Sequence, residues 1–513
     1  MQQEVPSKLF GRGNKRNVYY ATPHCKNGRN CDHFCSKLEE KLAHKSKKAY
    51  ICTAKMVAIA TKFAVQTKKY RTAMIIDRSD YVDKLMQKRW NGKVKIITGI
   101  RRCGKSYLLS TLFKQKLMEE GVSEDCFIEI ALDKVSNMQF RDPTRLYSYV
   151  AERAKDRSKK YYVMIDEIQL SYKVKNTSID ESLVPDEDKD MLYTTFYDVL
   201  NDLMAQPNLD VYVTGSNSKM LSKDIVTNFR DRGTEIRVLP LTFKEFLSFS
   251  GLEKTDALEQ YMMYGGMPLA VLEPDEHEKA KYLQSLFTNV YIKDIVERYR
   301  LKDDALLSAL VDAVASSVGS LTNPHKLACT AASLLDKTAS DHTIKNYLDY
   351  LEDAFLFSSA KRYNVKGRKY FNTIQKYYAV DLGLRNAKLN YRQQERSHLM
   401  ENMIYNDLIH RGYNVDVGVV EIEQMADGKR KQGLYEIDFV VNLGNEKVYV
   451  QSALNVDSAD KKAQETYSLH NTGDFFRKIV VLDGTQKLWI DDDGVAYVGV
   501  IPFLLDDYIS QKL

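Results

Sequence analysis

Apolar residues in this chain fall into two rhythms that alternate along its length. Short β-branched runs bounded by polar turns are the pattern of strands, and apolar positions recurring every three or four residues are the pattern of helices. The first strand is read at Val94, Ile96 and Ile97, a run that suits cover on both faces. The chain breaks at Gly99 and resumes as an amphipathic helix at Ser106-Tyr107-Leu108-Leu109. Further strands are read at residues 127–133 (FIEIALD), 161–169 (YYVMIDEIQ), 210–216 (DVYVTGS) and 235–241 (EIRVLPL), with helices between them. That alternation is the rhythm of a parallel sheet. Residues 171–190 are polar and acidic, lack an apolar period, and read as a loop insertion.

Beyond Pro240 the pattern turns helical: FKEFLSF, YMMYGGMPLAVL, then a long helix through Ile292, Ile295 and Val296. Three helical patterns occupy 303–360, the last capped by Ser340 or Asp341 and repeating Ile344, Tyr347, Leu348 and Leu351. A basic turn, KRYNVKGRKY from Lys361, leads into the β segment IQKYYAVD. Helix, turn, helix and β-ribbon is the order of a winged helix. From Glu395 the helix SHLMENMIYNDLI precedes four β-like runs. The expected division is an N-terminal extension (1–73), an α/β core (74–245), a helical lid (246–300), a winged-helix region (301–385) and an α+β domain (386–513).

Composition adds limits. A chain of 513 residues with 44% hydrophobic and 28% charged residues suits several globular domains rather than one core. Lys55 and Lys62 interrupt its best apolar stretch, 51–65, so no bilayer span is expected. MQQEVPSK lacks the apolar core of a secretory signal, and seven scattered cysteines suit a reducing compartment, so the cytoplasm is the expected location. Cys25, Cys31 and Cys35 lack the paired knuckles of a structural zinc site. The net charge of +6 is uneven: residues 1–75 hold sixteen Lys/Arg against four Asp/Glu, or +12, which leaves −6 for the remainder. Such an extension is expected to be partly disordered, with an amphipathic helix over 37–70, and to suit a polyanionic partner such as nucleic acid.

The chemistry concentrates where the first strand ends. G-x-x-x-x-G-K-S, with Gly99, Gly104, Lys105 and Ser106, lets the backbone wrap a polyphosphate with its N–H groups facing inward. Lys105 adds charge for the terminal phosphates, Ser106 can ligate Mg²⁺, and the following helix presents its N-terminus to the same anion. The cradle is expected to comprise Gly99, Ile100, Arg101, Arg102, Cys103, Gly104, Lys105, Ser106 and Tyr107. Asp166 and Glu167 close the third strand at the carboxyl edge, where open α/β sheets bind ligands. Asp166 is the expected Mg²⁺ partner beside Ser106, and Glu167 the group that polarises the attacking water. Ser216 or Asn217 at the fourth strand tip is placed to orient that water, and Arg230 and Arg232 to stabilise phosphoryl charge in cis or from a neighbouring subunit.

GIRRCGKS, YYVMIDEIQ, VYVTGSNSKMLSKDI, T-x-F-R-x-R-G, LPLTFKEF and YGGMP occur in the order found in a prokaryotic family of AAA-type ATP-binding proteins, which the chain resembles from about residue 75 to its end. The resemblance continues through TIKNYLDYLEDAFLF, KYYAVDLGLRNA, LMENMIYNDLIHRGY and EIDFVV, in that family's C-terminal domain of unknown function. It implies an ASCE-type P-loop sheet with ATP and Mg²⁺ as cofactors, and marks Pro268, in a G-x-P-like motif, as an adenine-site candidate. Asp231 departs from the glycine usual between the two arginines, and an acid there could neutralise an arginine finger.

The last domain resembles the restriction-endonuclease-like PD-(D/E)XK fold, with Glu401, Asp438 and Gln451 at matching positions. Ser452 and Ala453 follow Gln451, so the lysine of that motif is missing and cleavage is not expected. Residues 30–72 faintly resemble an insertion-sequence transposase tail. Two readings follow: an ATPase driving or switching a DNA-associated or regulatory activity, as a homo-oligomer if the arginines act between subunits, or a nucleotide-gated module with little turnover.

Overall fold

The computed structural model describes residues 76–216, 232–335, 340–426 and 429–511. The expectations for residues 1–73 lie outside these, as do Asn217, Arg230 and Asp231. Helix α1 (Ser79–Gln87) precedes strand β1 (Val94–Thr98). A continuous helix, α2, follows, built from Lys105–Tyr107, a π-helical stretch Leu108–Phe113 and Lys114–Glu119. Then come β2 (Phe127–Ala131), α3 (Pro143–Arg153), β3 (Tyr161–Asp166), α4 (Phe196–Met204), β4 (Leu209–Thr214) and β5 (Gly233–Arg237). The five strands are parallel, in the order β2-β3-β4-β1-β5.

Alternation within the strands explains the two layers. Val94, Ile96, Val163, Ile165, Val211 and Val213 share one core with α3 and α4. Ile97, Met164, Tyr212 and Ile236 face the other core, with α1, α2 and the helices beyond β5. Lys95 breaks the apolar run of β1: its fully buried ammonium pairs with Asp210 of β4. The expected loop over 171–190 holds 3₁₀ turns and one short pairing, Val174–Lys175 with Tyr193–Thr194.

Three helical segments lead away from the sheet: α5 (Phe243–Ser250), α6 (Lys254–Tyr264) and the turn Pro268–Leu272. The long helix α7 comprises Glu276–Leu286, a π-helical stretch Phe287–Ile292 and Lys293–Tyr299. Helix α8 (Asp304–Ser316), β6 (Leu321–Thr322), α9 (Pro324–Leu335) and α10 (Asp341–Asp353) come next. Ser340 caps α10 by accepting from the Thr343 N–H, and Ile344, Tyr347, Leu348 and Leu351 are buried, as their spacing predicts.

Strands β7 (Phe357–Asn364) and β8 (Lys369–Ala379) form an antiparallel hairpin, with β6 paired to the outer side of β8. After α11 (Leu382–Lys388) and α12 (Arg396–His410) come β9 (Asn414–Ala426), β10 (Lys429–Leu443) and β11 (Glu446–Ala453). The chain closes with α13 (Ala459–His470), β12 (Arg477–Leu482), β13 (Trp489–Ile490), β14 (Val495–Gly499) and α14 (Val500–Leu505). Six strands rather than four therefore follow α12. The hairpin and these strands share one nine-stranded mixed sheet, in the order β13-β14-β12-β11-β10-β9-β7-β8-β6. The joint is a short parallel pairing of Arg362–Asn364 with Val417–Val419, which covers an edge a free wing would leave open. No helix among the described residues is long and apolar enough to cross a membrane.

Candidate functional site

The loop between β1 and α2 is shaped by two glycines. Gly99 has φ +139°, and a Cβ there would meet the Val238 carbonyl oxygen at 2.1 Å, so no other residue fits. Gly104, at φ +98°, begins α2 in the left-handed region. Lys105 is buried, and its ammonium donates to the carbonyls of Gly99 and Ile100, both at 3.0 Å. Those carbonyls hold the charge inside the loop, and no carboxylate among the described residues pairs with it.

The expected cradle residues divide by role. Ile100 and Cys103 are buried in the core, so what they can offer a phosphate is backbone. Ser106 and Tyr107 are exposed at the mouth, and Arg102, at φ +64°, is exposed as well. Arg101 is turned to α7, where it pairs with Asp294 at 2.6 Å, while the Tyr291 hydroxyl donates to its carbonyl at 2.8 Å. The Pro268 ring stands beside the loop, 3.8 Å from where a Cβ on Gly104 would lie.

The carboxyl ends of β3 and β4 bring the acids to this mouth. Ser106 Oγ lies 2.9 and 2.8 Å from the two oxygens of Asp166. Thr214 donates its hydroxyl to Asp166 and accepts the Glu167 N–H at 3.0 Å, so one side chain fixes both acids. Glu167 sits in the left-handed region at φ +56°. Its Oε2 accepts from Gln169 and, at 3.4 Å, from Ser216, while Gln169 also donates to Ser216 at 3.2 Å. Gln169 Oε1 is buried with no partner among the described residues, next to this group. A cavity of about 340 Å³ opens beside Ser106 and Asp166, walled by Glu129, Asp133 and Lys134.

Arg232 lies elsewhere. Its carbonyl accepts from Val94 N–H at 3.0 Å, and Val94 pairs with Gly233, so Arg232 stands at the amino edge of the sheet. The length of β5 separates it from the phosphate loop, about 16 Å at about 3.3 Å per residue. The geometry therefore removes the in-cis form of its expected role.

Two residues that hold the site carry weak sequence signals. Buried Arg78 donates to Glu245 at 3.0 Å, to the Leu239 carbonyl at 2.9 Å and to the loop carbonyl of Cys103 at 3.1 Å. Nothing in the local pattern marks Arg78, although Glu245 lies in LPLTFKEF and also completes a capping box with Thr242. Gln169 does lie in a recognised motif, two positions past Glu167.

In the C-terminal sheet, Glu401, Asp438 and Gln451 come together, with a lysine of β8 among them. Lys376 of β8, 2% exposed, bonds Glu401 at 2.8 Å, Glu436 at 2.6 Å and Asp438 at 3.4 Å. Burial pulls its pKa down, but the three carboxylates outweigh that and hold the ammonium above its ordinary range. Glu401 is pushed up by burial and by Asp438 beside it. The clue was alternation: Lys376 and Tyr378 share a face of β8, and Tyr378 also donates to Glu401 at 2.8 Å. Among the described residues no group of three or more His, Cys, Asp or Glu side chains is arranged to hold a metal ion.

Comparisons with known proteins match three consecutive segments of the chain. Residues 91–247 match an AAA domain family, 255–395 a domain of unknown function (DUF8612) and 396–503 a second one (DUF4143). An uncharacterized protein of Haemophilus influenzae is 30% identical over 436 residues, spanning 84% of this chain and 99% of its own. The uncharacterized protein MJ1544 of Methanocaldococcus jannaschii is 27% identical over 438 residues, spanning 80% of this chain and 87% of its own. Among solved structures, a Walker-type ATPase of Pyrococcus abyssi aligns at 15% identity over 61% of this chain and 96% of its own, with a TM-score of 0.42.

Proposed function

This chain belongs to the family of AAA-domain proteins that includes the Haemophilus influenzae relative, and we propose that it is a Mg²⁺-dependent ATPase whose turnover drives or switches an activity of its C-terminal half. The observation that carries this reading is the Ser106–Asp166 hydrogen bond at the open end of a loop that already holds Lys105. Hydroxyl and carboxylate are the hard oxygen donors a magnesium ion takes, and the glycine cradle leaves room for phosphate oxygens. ATP and Mg²⁺ therefore fit: Lys105 and the loop amides would hold the phosphates, and Ser106 and Asp166 the ion. Bound there, Mg²⁺ supplies charge neutralisation at the transferring phosphoryl group.

Glu167 takes the proton of the attacking water. Its Oε1 carries no hydrogen bond among the described residues, and unpartnered Gln169 Oε1 and Ser216 stand by to orient a water between them. Asn217 and Arg230 keep their proposed places at the γ-phosphate on sequence grounds. Arg232, at the amino edge of its own sheet, keeps only the between-subunit form of its proposed role, at the phosphate of another copy of the chain.

Loop and C-terminal half are joined through one turn. Pro268 abuts Gly104, and two residues before it the Gly266 N–H donates to Asp381 at 2.7 Å, the residue that caps α11. That link supports the second reading, a nucleotide-gated module in which occupancy of the loop matters more than turnover.

The order α8, β6, α9, α10, β7, β8 is the winged-helix reading of the middle region. Two features reduce its fit to duplex DNA. The exposed side of α10 carries Asp341 and Asp349 beside Lys345, and Lys366 in the hairpin turn is spent on the Glu421 carbonyl at 2.8 Å. The C-terminal acidic cluster is read as a scaffold without cleavage, because the Lys376 ammonium sits among Glu401, Glu436 and Asp438 and partly neutralises them.

The test is multiple-turnover phosphate release with and without DNA, on wild type, Lys105→Ala and Glu167→Gln. Loss of nucleotide binding in the first variant, and stalled hydrolysis with intact binding in the second, are expected. Equal turnover in Glu167→Gln and wild type would remove Glu167 from the reaction.

A further inference from the structure

The nine-stranded sheet forks where β7 meets β9. The two strands pair only at Arg362–Asn364 with Val417–Val419. Before that point Phe357 to Lys361 pair with β8 alone, and Asn414 to Asp416 with β10 alone. A cavity of about 960 Å³ opens in the fork, larger than the one beside the phosphate loop. A shift of register in β8 between Phe371 and Gln375 brings both residues to its wall.

The chemistry of that wall is uneven. Tyr370, Phe371 and Tyr413 supply aromatic surface, with Tyr370 52% exposed at the rim, while Tyr405 behind them is buried and stacked on Tyr378. Arg362 lies over the Phe371 ring at 5.0 Å, and its buried Nε has no partner. Asp416 is fixed as an acceptor by the Tyr370 hydroxyl and the Asn442 amide, both at 3.0 Å. The amides of Gln375 and Asn414 line the cavity, and the exposed ammonium of Lys361 stands at its wall within electrostatic reach of Asp416. A second cavity of about 420 Å³ shares Ser359, Lys361 and Gln375 with the first. Its far wall bears Asp341, Asp349 and Glu352 beside Lys345, so acids outnumber the cation there and an anion is favoured at the shared border by Lys361.

We propose that this fork is a binding site for a nucleoside phosphate, with the base between the aromatic side chains and the phosphate at Lys361. Rings give a base its stacking surface, and carboxamides offer both donor and acceptor to a base edge. A lone cation where the cavity opens matches one phosphate rather than a polyphosphate chain. The phosphate is either a free mononucleotide or one unpaired residue of a strand. The site uses no residue of the phosphate loop, so it stands or falls apart from the ATPase reading.

The experiment uses the full-length protein carrying Lys105→Ala, which silences the loop, in about 0.3 M salt, where attraction between exposed charges is largely screened. UMP and AMP form one arm, followed by calorimetry, and fluorescent ten-residue single strands form the other, followed by anisotropy. Saturable binding is expected in at least one arm. Binding in both assigns free nucleotide, and binding of strands alone assigns an unpaired residue. Lys361→Ala with Tyr370→Ala should weaken it about tenfold or more. Tyr370→Phe, which keeps the ring, should retain most of it. A parallel arm irradiates 5-iodouridine strands on the protein without the fork variants, so the result does not depend on their folding. Crosslinks are expected at Tyr370, Phe371 or Tyr413. No saturable binding in either arm, binding unchanged in a folded double variant, or crosslinks confined elsewhere would each overturn the proposal.

Discussion

The Ser106 hydroxyl stands between both oxygens of Asp166, 2.9 and 2.8 Å away, although sixty positions of chain separate the two residues. β1 and β3 are not neighbours in the sheet. β4 lies between them, and its last residue, Thr214, bonds Asp166 from the other side. The acid is thus held at two points by the protein itself, a preorganisation that lowers the cost of ordering it on binding.

Thr214→Val keeps the shape and removes both hydrogen bonds. The Mg²⁺ concentration for half-maximal nucleotide binding should rise about tenfold to a hundredfold, the usual effect of losing a partner of a metal ligand. A magnesium titration of fluorescent nucleotide binding measures it, and an unchanged midpoint would show that Thr214 does not position Asp166.

Arg78→Ala should destabilise the protein by about 3–5 kcal/mol, since Glu245, 11% exposed, is then left without its buried cation. Urea unfolding reads the loss. Because Arg78 also holds the Cys103 carbonyl, nucleotide affinity should fall even under conditions where the variant is fully folded.

Lys376→Met leaves Glu401, Glu436 and Asp438 facing one another without a cation. A loss of about 3–5 kcal/mol is expected at neutral pH and a smaller one in acid, where carboxylates become neutral. Equal losses at pH 5 and pH 8 by urea unfolding would contradict the charge-balancing role.

Asp381 is raised to about 6 by burial, against the lowering effect of backbone N–H donors such as Gly266 and Leu384. A folded value above the unfolded one means its contribution is fully present below the unfolded pKa and is lost as pH rises through about 6. Wild type should therefore lose up to about 3 kcal/mol from this group between pH 4 and pH 7. Asp381→Asn should flatten that part of the profile. Asp407, also raised to about 6 by burial, titrates in both proteins and cancels in the comparison. Parallel stability–pH curves would refute the assignment.

Deletion of residues 1–73 removes the segment that carries the whole +12 charge and none of the residues assigned to the phosphate site. ATP turnover and melting temperature should stay close to the full-length values, while salt-sensitive affinity for nucleic acid falls. A truncated protein that fails to fold would place the boundary earlier in the chain.

The sequence by itself determined the phosphate loop, the strand rhythm and the acids at the strand tip, because each depends on near neighbours. Glycine spacing sets the backbone of the loop, and β-branched runs set which residues are buried. It also located the α10 cap and the apolar face behind it. Tertiary structure decided what depends on strand order and on contacts between distant segments. The parallel direction of β5 put Arg232 at the amino edge of its own sheet, and strand order made Thr214 the clamp between Asp166 and Glu167. Parallel pairing tied the expected wing into the C-terminal sheet. Lys376 reached the acids from β8, a separate segment of chain, since a buried carboxylate set can be balanced by any cation the fold brings near. Arg78 shows the same limit: a guanidinium contacting residues 25 and 167 positions away has no local pattern to betray it.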